Sequence, residues 1–257
     1  MKTTIIFCLT LLVCIGCETN SSNQTSDGKE TNSDVEIQKV DLLGAWEADE
    51  KTDSGTVITH MITFTEKYFS EAIYVKEPAQ FIWTLGGSWE LVDNNATLNY
   101  EFFSLDTAQV GQQGNMDLKL VNGKMEASGR TWKKVDDGTP GELQGAWLIT
   151  GRKRNGEMSR RTPGERKTMK ILSGTRFQWI AYHTGTGKFS GTGGGSYTTT
   201  DGQYTENIDF FSRNNARVGA SLEFQYRLDS GEWHHEGTSS KGDPIYEIWT
   251  PRTMLED

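Results

Sequence analysis

The chain has 257 residues, of which 35 are acidic and 26 basic, and its formal charge is −9 at pH 7. An acidic chain repels phosphate backbones, and no basic stripe with interleaved aromatic residues stands out, so no nucleic-acid partner is predicted. All three cysteines fall within the first 17 residues, which leaves the remainder without a disulfide, a thiol nucleophile or a thiolate metal site. The histidines lack a second ligand at fixed spacing, so neither a metal nor another cofactor is expected.

The N-terminus reads as a secretory signal. Lys2 precedes an apolar run from residue 5 to residue 15, which is shorter than the roughly 20 residues that span a bilayer. The small Gly16 before Cys17 resembles a bacterial lipobox, although Cys14 stands where leucine is usual. An ordinary signal with a chance cysteine is the alternative. We predict that residues 1–16 are removed and that Cys17 is lipidated.

A polar segment follows, rich in Ser, Thr, Asn, Asp, Gln and Glu. Such a composition cannot bury surface, so residues 17–38 are predicted to form a disordered tether, with an end-to-end distance on the order of 25 Å. Glu18 after the lipidated cysteine resembles the sorting pattern of outer-membrane lipoproteins. The expected location is the cell envelope, lipid-anchored, in the outer membrane and facing the periplasm or the surface.

The rest of the chain is a tandem duplication. Residues 61–130 align without a gap with residues 169–238 at a constant offset of 108, and twenty of the seventy positions are identical. The clearest match sets 86–89 (GGSW) against 194–197 (GGSY) and 102–104 (FFS) against 210–212 (FFS). Repeated modules fix the organisation, and we predict one domain at 39–138 and a second at 139–257.

Each copy has the period of two that is typical of β-strands, as in Leu222, Phe224, Tyr226 and Leu228. Turn signals such as Asp201-Gly202 and Asn122-Gly123 separate about eight short strands per copy. An antiparallel meander with one apolar face leaves no unpaired edge strand when it closes into a barrel. We therefore predict an all-β protein of two small antiparallel up-and-down barrels, with a two-sheet sandwich as the competitor. The glycines at 191–195 suggest a strand bulge.

A family resemblance supports this fold. The openings 43–46 (LGAW) and 143–147 (LQGAW), the run 204–210 (YTENIDF) and the closing 247–249 (EIW) resemble lipocalin-like (calycin) domains. The likeness is to an uncharacterised group of secreted proteins and lipoproteins from polysaccharide-degrading bacteria. The resemblance implies a barrel with a ligand cavity, whose opening tryptophan closes one end, and it implies no activity.

One local stretch is basic. Arg152-Lys-Arg154, Arg160-Arg161 and Arg166-Lys167 lie where the second copy is seven residues longer than the first between the opening tryptophan and the shared methionine. A solvated hairpin loop is the simple interpretation. The alternative is a flap that meets an acidic ligand, such as a uronate or a sulfated sugar, through arginine forks.

The alternation of side chains between the two faces of each strand predicts a polar lumen in the second copy. Glu206 shares a strand face with Tyr204, Ile208 and Phe210, and His235 shares one with Trp233. The first copy has Leu98 and Ala127 at the positions of Glu206 and His235. A buried carboxylate needs a partner or a raised pKa. Three interpretations remain open: a structural role in which Glu206 is exposed by a bulge or paired with Arg217, a polar ligand clasp, and an acid–base pair.

The predicted ligand-binding set combines the aromatic, charged and polar residues of the second copy that parity or sequence position brings near this lumen. Its members are Trp179, Tyr204, Glu206, Tyr226, Trp233, His235 and Arg217. A polar set on the opposite face recurs in both copies, as Thr97, Asn99 and Glu101 and then Thr205, Asn207 and Asp209. That set indicates either a solvated outer face or a polar lumen in both domains.

These features predict a lipid-anchored envelope protein that binds a small molecule, with a saccharide or uronate favoured over a lipid. An enzyme of lyase or isomerase type using Glu206 and His235 is the second hypothesis, although we expect binding without catalysis. A scaffold protein in an envelope complex is the third.

Overall fold

The computed structural model describes residues 36–139, 141–239 and 242–256. The predicted signal peptide, the predicted lipidation at Cys17 and all of the predicted tether up to residue 35 lie outside these residues. In the described part of the chain, strands dominate, and none of the helices is long and apolar enough to cross a bilayer.

The first barrel is a closed antiparallel ring of eight strands in chain order. Its strands are β1 (Gly44–Lys51), β2 (Val57–Phe64), β3 (Tyr68–Val75), β4 (Gln80–Val92), β5 (Asn95–Phe103), β6 (Gln113–Val121), β7 (Lys124–Ala127) and β8 (Arg130–Asp136). A short helix, α1 (Lys39–Leu42), precedes the barrel, and one 3₁₀ turn (Thr107–Gln109) follows β5. Pairing of β8 with β1 closes the ring and leaves no free strand edge.

The second barrel repeats this plan with one added strand. Its strands are β9 (Gly145–Arg154), β10 (Glu157–Arg160), β11 (Arg166–Leu172), β12 (Arg176–His183), β13 (Phe189–Thr200), β14 (Gln203–Phe211), β15 (Ser221–Asp229), β16 (Glu232–Thr238) and β17 (Pro244–Pro251). Strand β17 pairs with β9 and closes an eight-stranded ring, while β10 pairs with β9 outside that ring. The prediction of two tandem antiparallel barrels is confirmed, and the sandwich is excluded.

The hairpin turns follow the predicted turn residues. Asp93, Asn122, Asp201 and Ser230 have φ between 50° and 55° and lie in the turns after β4, β6, β13 and β15. Short polar residues and glycine tolerate this left-handed region, and primed turns match the twist of the flanking strands. The turn chemistry therefore sets the register of these hairpins.

One end of each barrel is closed in the same way. Trp46 donates from Nε1 to the carbonyl of Leu42, and Trp147 donates to the carbonyl of Leu143, each at 2.8 Å. Ile37, which the sequence analysis assigned to the tether, is buried in the core of the first barrel, and its N–H donates to Asn94. Its apolar side chain packs with this core, so this part of the tether prediction is wrong.

Bulges interrupt β5 and β14 at equivalent points, opposite paired glycines of β4 and β13. The register shifts between Gly86 and Gly87 opposite β5, and between Gly194 and Gly195 opposite β14. Strand β13 itself has a bulge between Phe189 and Gly191 opposite β12, at the start of the predicted segment 191–195. The bulge in β14 corrects one prediction. Phe210 was expected to share the inner face of Glu206, but the bulge turns its side chain outward into the contact between the barrels.

The contact between the barrels is reciprocal. Tyr74 packs on Phe210 at a centroid distance of 4.8 Å, and Tyr182, the equivalent of Tyr74, packs on Phe102 at 4.9 Å. Gln178 donates from its one amide nitrogen to Thr84 and to the equivalent Thr192. Exchange of equivalent residues is the mark of an isologous interface, so the two copies meet about a pseudo-twofold axis.

Each half of this contact also contains an ion pair, but the two arginines come from positions that are not equivalent in the two copies. Arg176 pairs with Asp209 beside Tyr74, and Arg252 pairs with Glu101, the equivalent of Asp209, beside Tyr182. Arg252 comes from the segment after the last strand. The recurring acidic position therefore belongs to the interface. The neighbouring Thr97 and Asn99 make exposed cross-strand hydrogen bonds, as a solvated outer face requires.

Replacing Arg252 by methionine is expected to lower the free energy of unfolding by about 2 kcal/mol, because it leaves Glu101 without its cation in a mostly buried place. Burial raises the pKa of Glu101, but Arg252 and the hydroxyl of Tyr182 outweigh it and hold that pKa below 4.5. The cost should thus be full above pH 4.5 and shrink as the pH falls through the lowered pKa.

Urea unfolding at neutral and acidic pH measures this loss. The control is Arg227→Met, because Arg227 and Asp229 form an exposed pair whose contribution to stability should be much smaller. Equal losses for the two variants at neutral pH would contradict the expected role of Arg252.

Candidate functional site

The lumen of the second barrel contains a buried ion pair. Nζ of Lys170 on β11 lies 2.8 Å from Oε1 of Glu206 on β14, and both residues are at most 5% exposed. The Tyr204 hydroxyl donates to the same carboxylate oxygen at 3.0 Å. Glu206 is therefore interior, as parity predicted. The suggested pairing with Arg217 is wrong, because Lys170 provides the cation.

Aromatic rings enclose the Lys170 ammonium. Its distance to the ring centroid is 4.7 Å for Trp233, 5.0 Å for Tyr204, 5.2 Å for Trp249 and 5.9 Å for Phe224. At such distances the ring faces attract a desolvated cation. The ammonium is held by one carboxylate and four rings, so its position in the lumen is well defined.

His235 lies in the same lumen and is 2% exposed. Its ring centroid is 4.2 Å from that of Phe224 and 5.3 Å from that of Trp233. Burial and the ammonium of Lys170 lower the pKa of His235 below 6.5, so the imidazole is neutral at pH 7. Neither ring nitrogen has a hydrogen-bond partner among the described residues. Glu206 bonds to Lys170 and Tyr204 and makes no hydrogen bond to His235, so the geometry of an acid–base pair is not present.

Glu247 on β17 joins this cluster to the barrel entrance. Its Oε1 accepts from Nη2 of Arg152 at 2.6 Å, while its Oε2 lies 3.6 Å from Nδ1 of His235, which is longer than a hydrogen bond. Burial alone would raise the pKa of Glu247, but the nearby His235 and the cations Arg152 and Lys170 outweigh it and hold that pKa below 4.5. Glu247 is therefore a buried carboxylate that stays charged at neutral pH.

The entrance of the second barrel is a basic pocket of about 320 Å³, which we call the arginine mouth. It is lined by Ile149, Gly151, Arg152, Arg154, Ser159, Arg161, Arg166 and Thr168. Thr168 is two residues from Lys170 on β11 and thus faces the same side of the strand, and Ile149 belongs to the lumen core. The pocket therefore borders residues that line the lumen.

The insertion in the second copy contributes to this mouth. Residues 157–160 form the added strand β10, which folds over β9 and brings Ser159 and Arg161 to the pocket. Arg160 points elsewhere and pairs with Glu232. Part of this segment is exposed, as a solvated hairpin loop would be. The arginines that line the pocket belong to the stretch that the flap hypothesis assigned to binding an acidic ligand.

Charge in the arginine mouth is only partly compensated. Arg152 pairs with Glu247, but Arg154, Arg161 and Arg166 have no acidic partner within the described ranges. Burial and the charges of the other three mouth arginines lower the pKa of Arg161. Arginine presents a planar fork of donors that matches carboxylates and sulfates, so an anion is the complementary ligand.

The first barrel lacks this arrangement. Its residues at the positions of Lys170, Glu206 and His235 are Ile62, Leu98 and Ala127, and all three lie in its apolar core. The only buried histidine described there is His60, whose Nδ1 lies 3.2 Å from Oε1 of Glu71. The buried ion pair of the second lumen is therefore replaced by apolar residues in the first barrel.

The remaining predicted residues lie at the margins of this lumen. Trp179 packs partly buried against the core and makes an edge contact with Phe211. The Tyr226 hydroxyl donates to Glu142 at 2.9 Å, and its ring borders the same core. Arg217 lies in the 3₁₀ turn Asn215–Arg217, and its side chain has no hydrogen-bond or ion-pair partner in the described part of the chain. The structure brings Tyr204, Glu206, Trp233 and His235 together.

Several buried polar atoms in the lumen have no hydrogen-bond partner among the described residues. The indole N–H groups of Trp233 and Trp249 and both ring nitrogens of His235 make no hydrogen bond to described residues. Such groups are costly in an apolar interior unless a polar molecule satisfies them. No group of three histidine or acidic side chains suited to a metal occurs in the described ranges, so the donors suit an oxygen-rich organic ligand or water.

No protein-family model matches the sequence, and neither a curated protein nor a solved structure matches it. The chemistry of the arginine mouth and of the lumen behind it therefore carries the functional argument.

Proposed function

We propose that this protein is a lipid-anchored binding protein of the cell envelope, in the outer membrane, whose second barrel takes up a small acidic saccharide such as a uronate or a sulfated sugar. The observation that carries the proposal is the arginine mouth, where three arginines without an acidic partner among the described residues lie beside a lumen that contains buried polar groups without hydrogen-bond partners. The location rests on the signal sequence, the cysteine at its end and the polar segment that follows.

The division of the site fits a sugar acid. The arginines of the mouth would pair with its carboxylate or sulfate. The indole and imidazole groups behind them would hydrogen-bond to hydroxyls, and aromatic faces would stack on the ring. A fatty acid would leave the buried donors without partners, which favours the saccharide. Glu206 is already satisfied by Lys170 and Tyr204, so the proposal is binding and not catalysis.

Thermal unfolding of the protein with glucuronate, a galacturonate oligomer, a sulfated monosaccharide, glucose and a fatty acid tests the proposal. We expect the acidic sugars to stabilise the protein, by about 2.7 kcal/mol at 100 times the dissociation constant, and glucose to do so weakly. Arg161→Gln and Arg166→Gln should each weaken binding about tenfold, since a hydrogen bond to a charged group contributes about 1.5–3 kcal/mol.

Arg227→Gln is the matched control, because Arg227 is exposed and pairs with Asp229 away from the mouth. It should leave affinity unchanged. Stabilisation by the fatty acid alone would replace the saccharide by a lipid. Absence of stabilisation by every compound would reject the binding function and favour the scaffold hypothesis.

A further inference from the structure

We propose, resting on the function above, that Glu247 is an exchangeable counter-ion and that an anion binding to Arg152 draws one proton from solvent onto the Glu247–His235 pair. The site then works as a proton-coupled receptor for acidic ligands. The proposal rests on the positions of Arg152, Glu247, His235 and Lys170, at the boundary between the arginine mouth and the lumen.

The side chain of Arg152 lies between the pocket and Glu247. It lines the pocket and is 42% exposed, while its Nη2 donates to Glu247, whose side chain is only 11% exposed. A carboxylate or sulfate entering the pocket meets the same guanidinium that neutralises Glu247. A guanidinium that is shared between two anions neutralises each of them only in part, so ligand binding weakens its ion pair with Glu247.

A buried carboxylate that loses its cation becomes unstable as an anion. Its nearest alternative partner is His235, whose Nδ1 lies 3.6 Å from Oε2, so a small shift of either side chain would give a hydrogen bond. His235 is free to respond because neither of its ring nitrogens has a hydrogen-bond partner among the described residues. A proton placed on this pair would convert it into a neutral acid or a compensated ion pair.

The groups around the pair determine the direction of the effect. His235 faces Lys170 from β11, Tyr204 and Glu206 from β14, Tyr226 from β15 and Glu247 from β17. In the free protein Lys170 and burial keep His235 neutral, and Arg152 helps to keep Glu247 ionised. Since Lys170 is fully engaged by Glu206, the proton that compensates Glu247 must come from solvent.

Linkage then fixes the pH dependence. The bound form carries one more proton than the free form, so affinity increases as the pH falls, by at most about tenfold per pH unit. The increase ends below the pKa of His235 in the free protein, because there the proton is already bound. Glucuronate and sulfate are both fully ionised at pH 7, so the ligand itself contributes no proton change.

Isothermal titration calorimetry with glucuronate and with sulfate tests the proposal. The titrations use imidazole, bis-Tris and Tris chloride at pH 7, since these buffers are cationic or neutral and do not compete for the arginines. The slope of the observed enthalpy against the ionisation enthalpy of the buffer gives the number of protons exchanged. We expect an uptake of about one proton per ligand in the wild-type protein.

Two variants separate the coupling from the binding. Glu247→Gln keeps the shape of the side chain but removes the carboxylate that needs compensation, so binding should persist with a slope near zero. Arg152→Gln leaves Glu247 without its cation even in the free protein, so binding should weaken and the slope should also fall towards zero.

The outcomes of the titrations are distinct. Binding of glucuronate without proton uptake, or an unchanged uptake in Glu247→Gln, overturns the coupling and leaves the proposed function intact. Failure of both glucuronate and sulfate to bind the wild-type protein overturns the proposed function, and the coupling with it.

Discussion

Replacing Lys170 by isoleucine is expected to lower the free energy of unfolding by about 3–5 kcal/mol, because it leaves the Glu206 carboxylate buried without a cation. Glu206→Leu is expected to cost less. In that variant the ammonium keeps the four surrounding ring faces, which attract a cation without a carboxylate.

The double variant Lys170→Ile/Glu206→Leu should recover most of this loss. It gives the second barrel the pair Ile62 and Leu98 that fills the same positions of the first barrel. Replacing a buried ion pair by packed apolar residues is often neutral, or stabilising by about 1–4 kcal/mol. The Tyr204 hydroxyl would lose its acceptor, which offsets about 1 kcal/mol of any gain.

Urea unfolding of the wild-type protein, the two single variants and the double variant completes a thermodynamic cycle. We expect a coupling energy of about 3 kcal/mol between the two positions. If the losses of the single variants simply add in the double variant, then the two side chains do not interact as a buried ion pair.

Alanine at Gly195 is expected to lower the free energy of unfolding by at least about 3 kcal/mol. A Cβ there would overlap the carbonyl oxygen of Asn207 and approach the N–H of Asp209. Both obstacles are backbone atoms of the neighbouring strand, so no side chain can move aside. Gly87 meets the equivalent atoms of Asn99 and Glu101, and Gly87→Ala should cost a similar amount in the first barrel.

Gly164→Ala is the control for both substitutions, because a Cβ at Gly164 has open space around it and the residue lies in a loop. Its effect should be within about 0.5 kcal/mol of zero. Thermal and urea unfolding of the three variants measure the difference. A loss at Gly195 no larger than that at Gly164 would show that the strand can relax at the bulge.

The fold was predictable because local signals agreed. A period of two, turn residues with left-handed backbone and an internal repeat all favoured closed antiparallel meanders, and both barrels have that form. Parity failed at Phe210, since a bulge moves every later residue of the strand to the other face. The glycines that mark the bulge were visible, but their number does not tell at which residue the register shifts.

The candidate site was predictable only in part. Comparison of the copies identified Glu206 and His235, because each replaces an apolar residue of the first copy. The same comparison sets Lys170 against Ile62, and that difference would have revealed the partner of Glu206. Glu247 lies in the closing strand, beyond the gapless alignment, so its role depends on a contact between distant strands that only the folded barrel shows.

Joining the two barrels in one chain has a consequence for how their sites can differ. In a pair of identical subunits, each substitution would occur twice, and a charge placed in one lumen would also appear in the other. A single chain removes this constraint while it preserves the reciprocal packing of Tyr74 and Tyr182. One copy can remain an inert, well-packed support, and its twin can accept the energetic penalty of a polar interior.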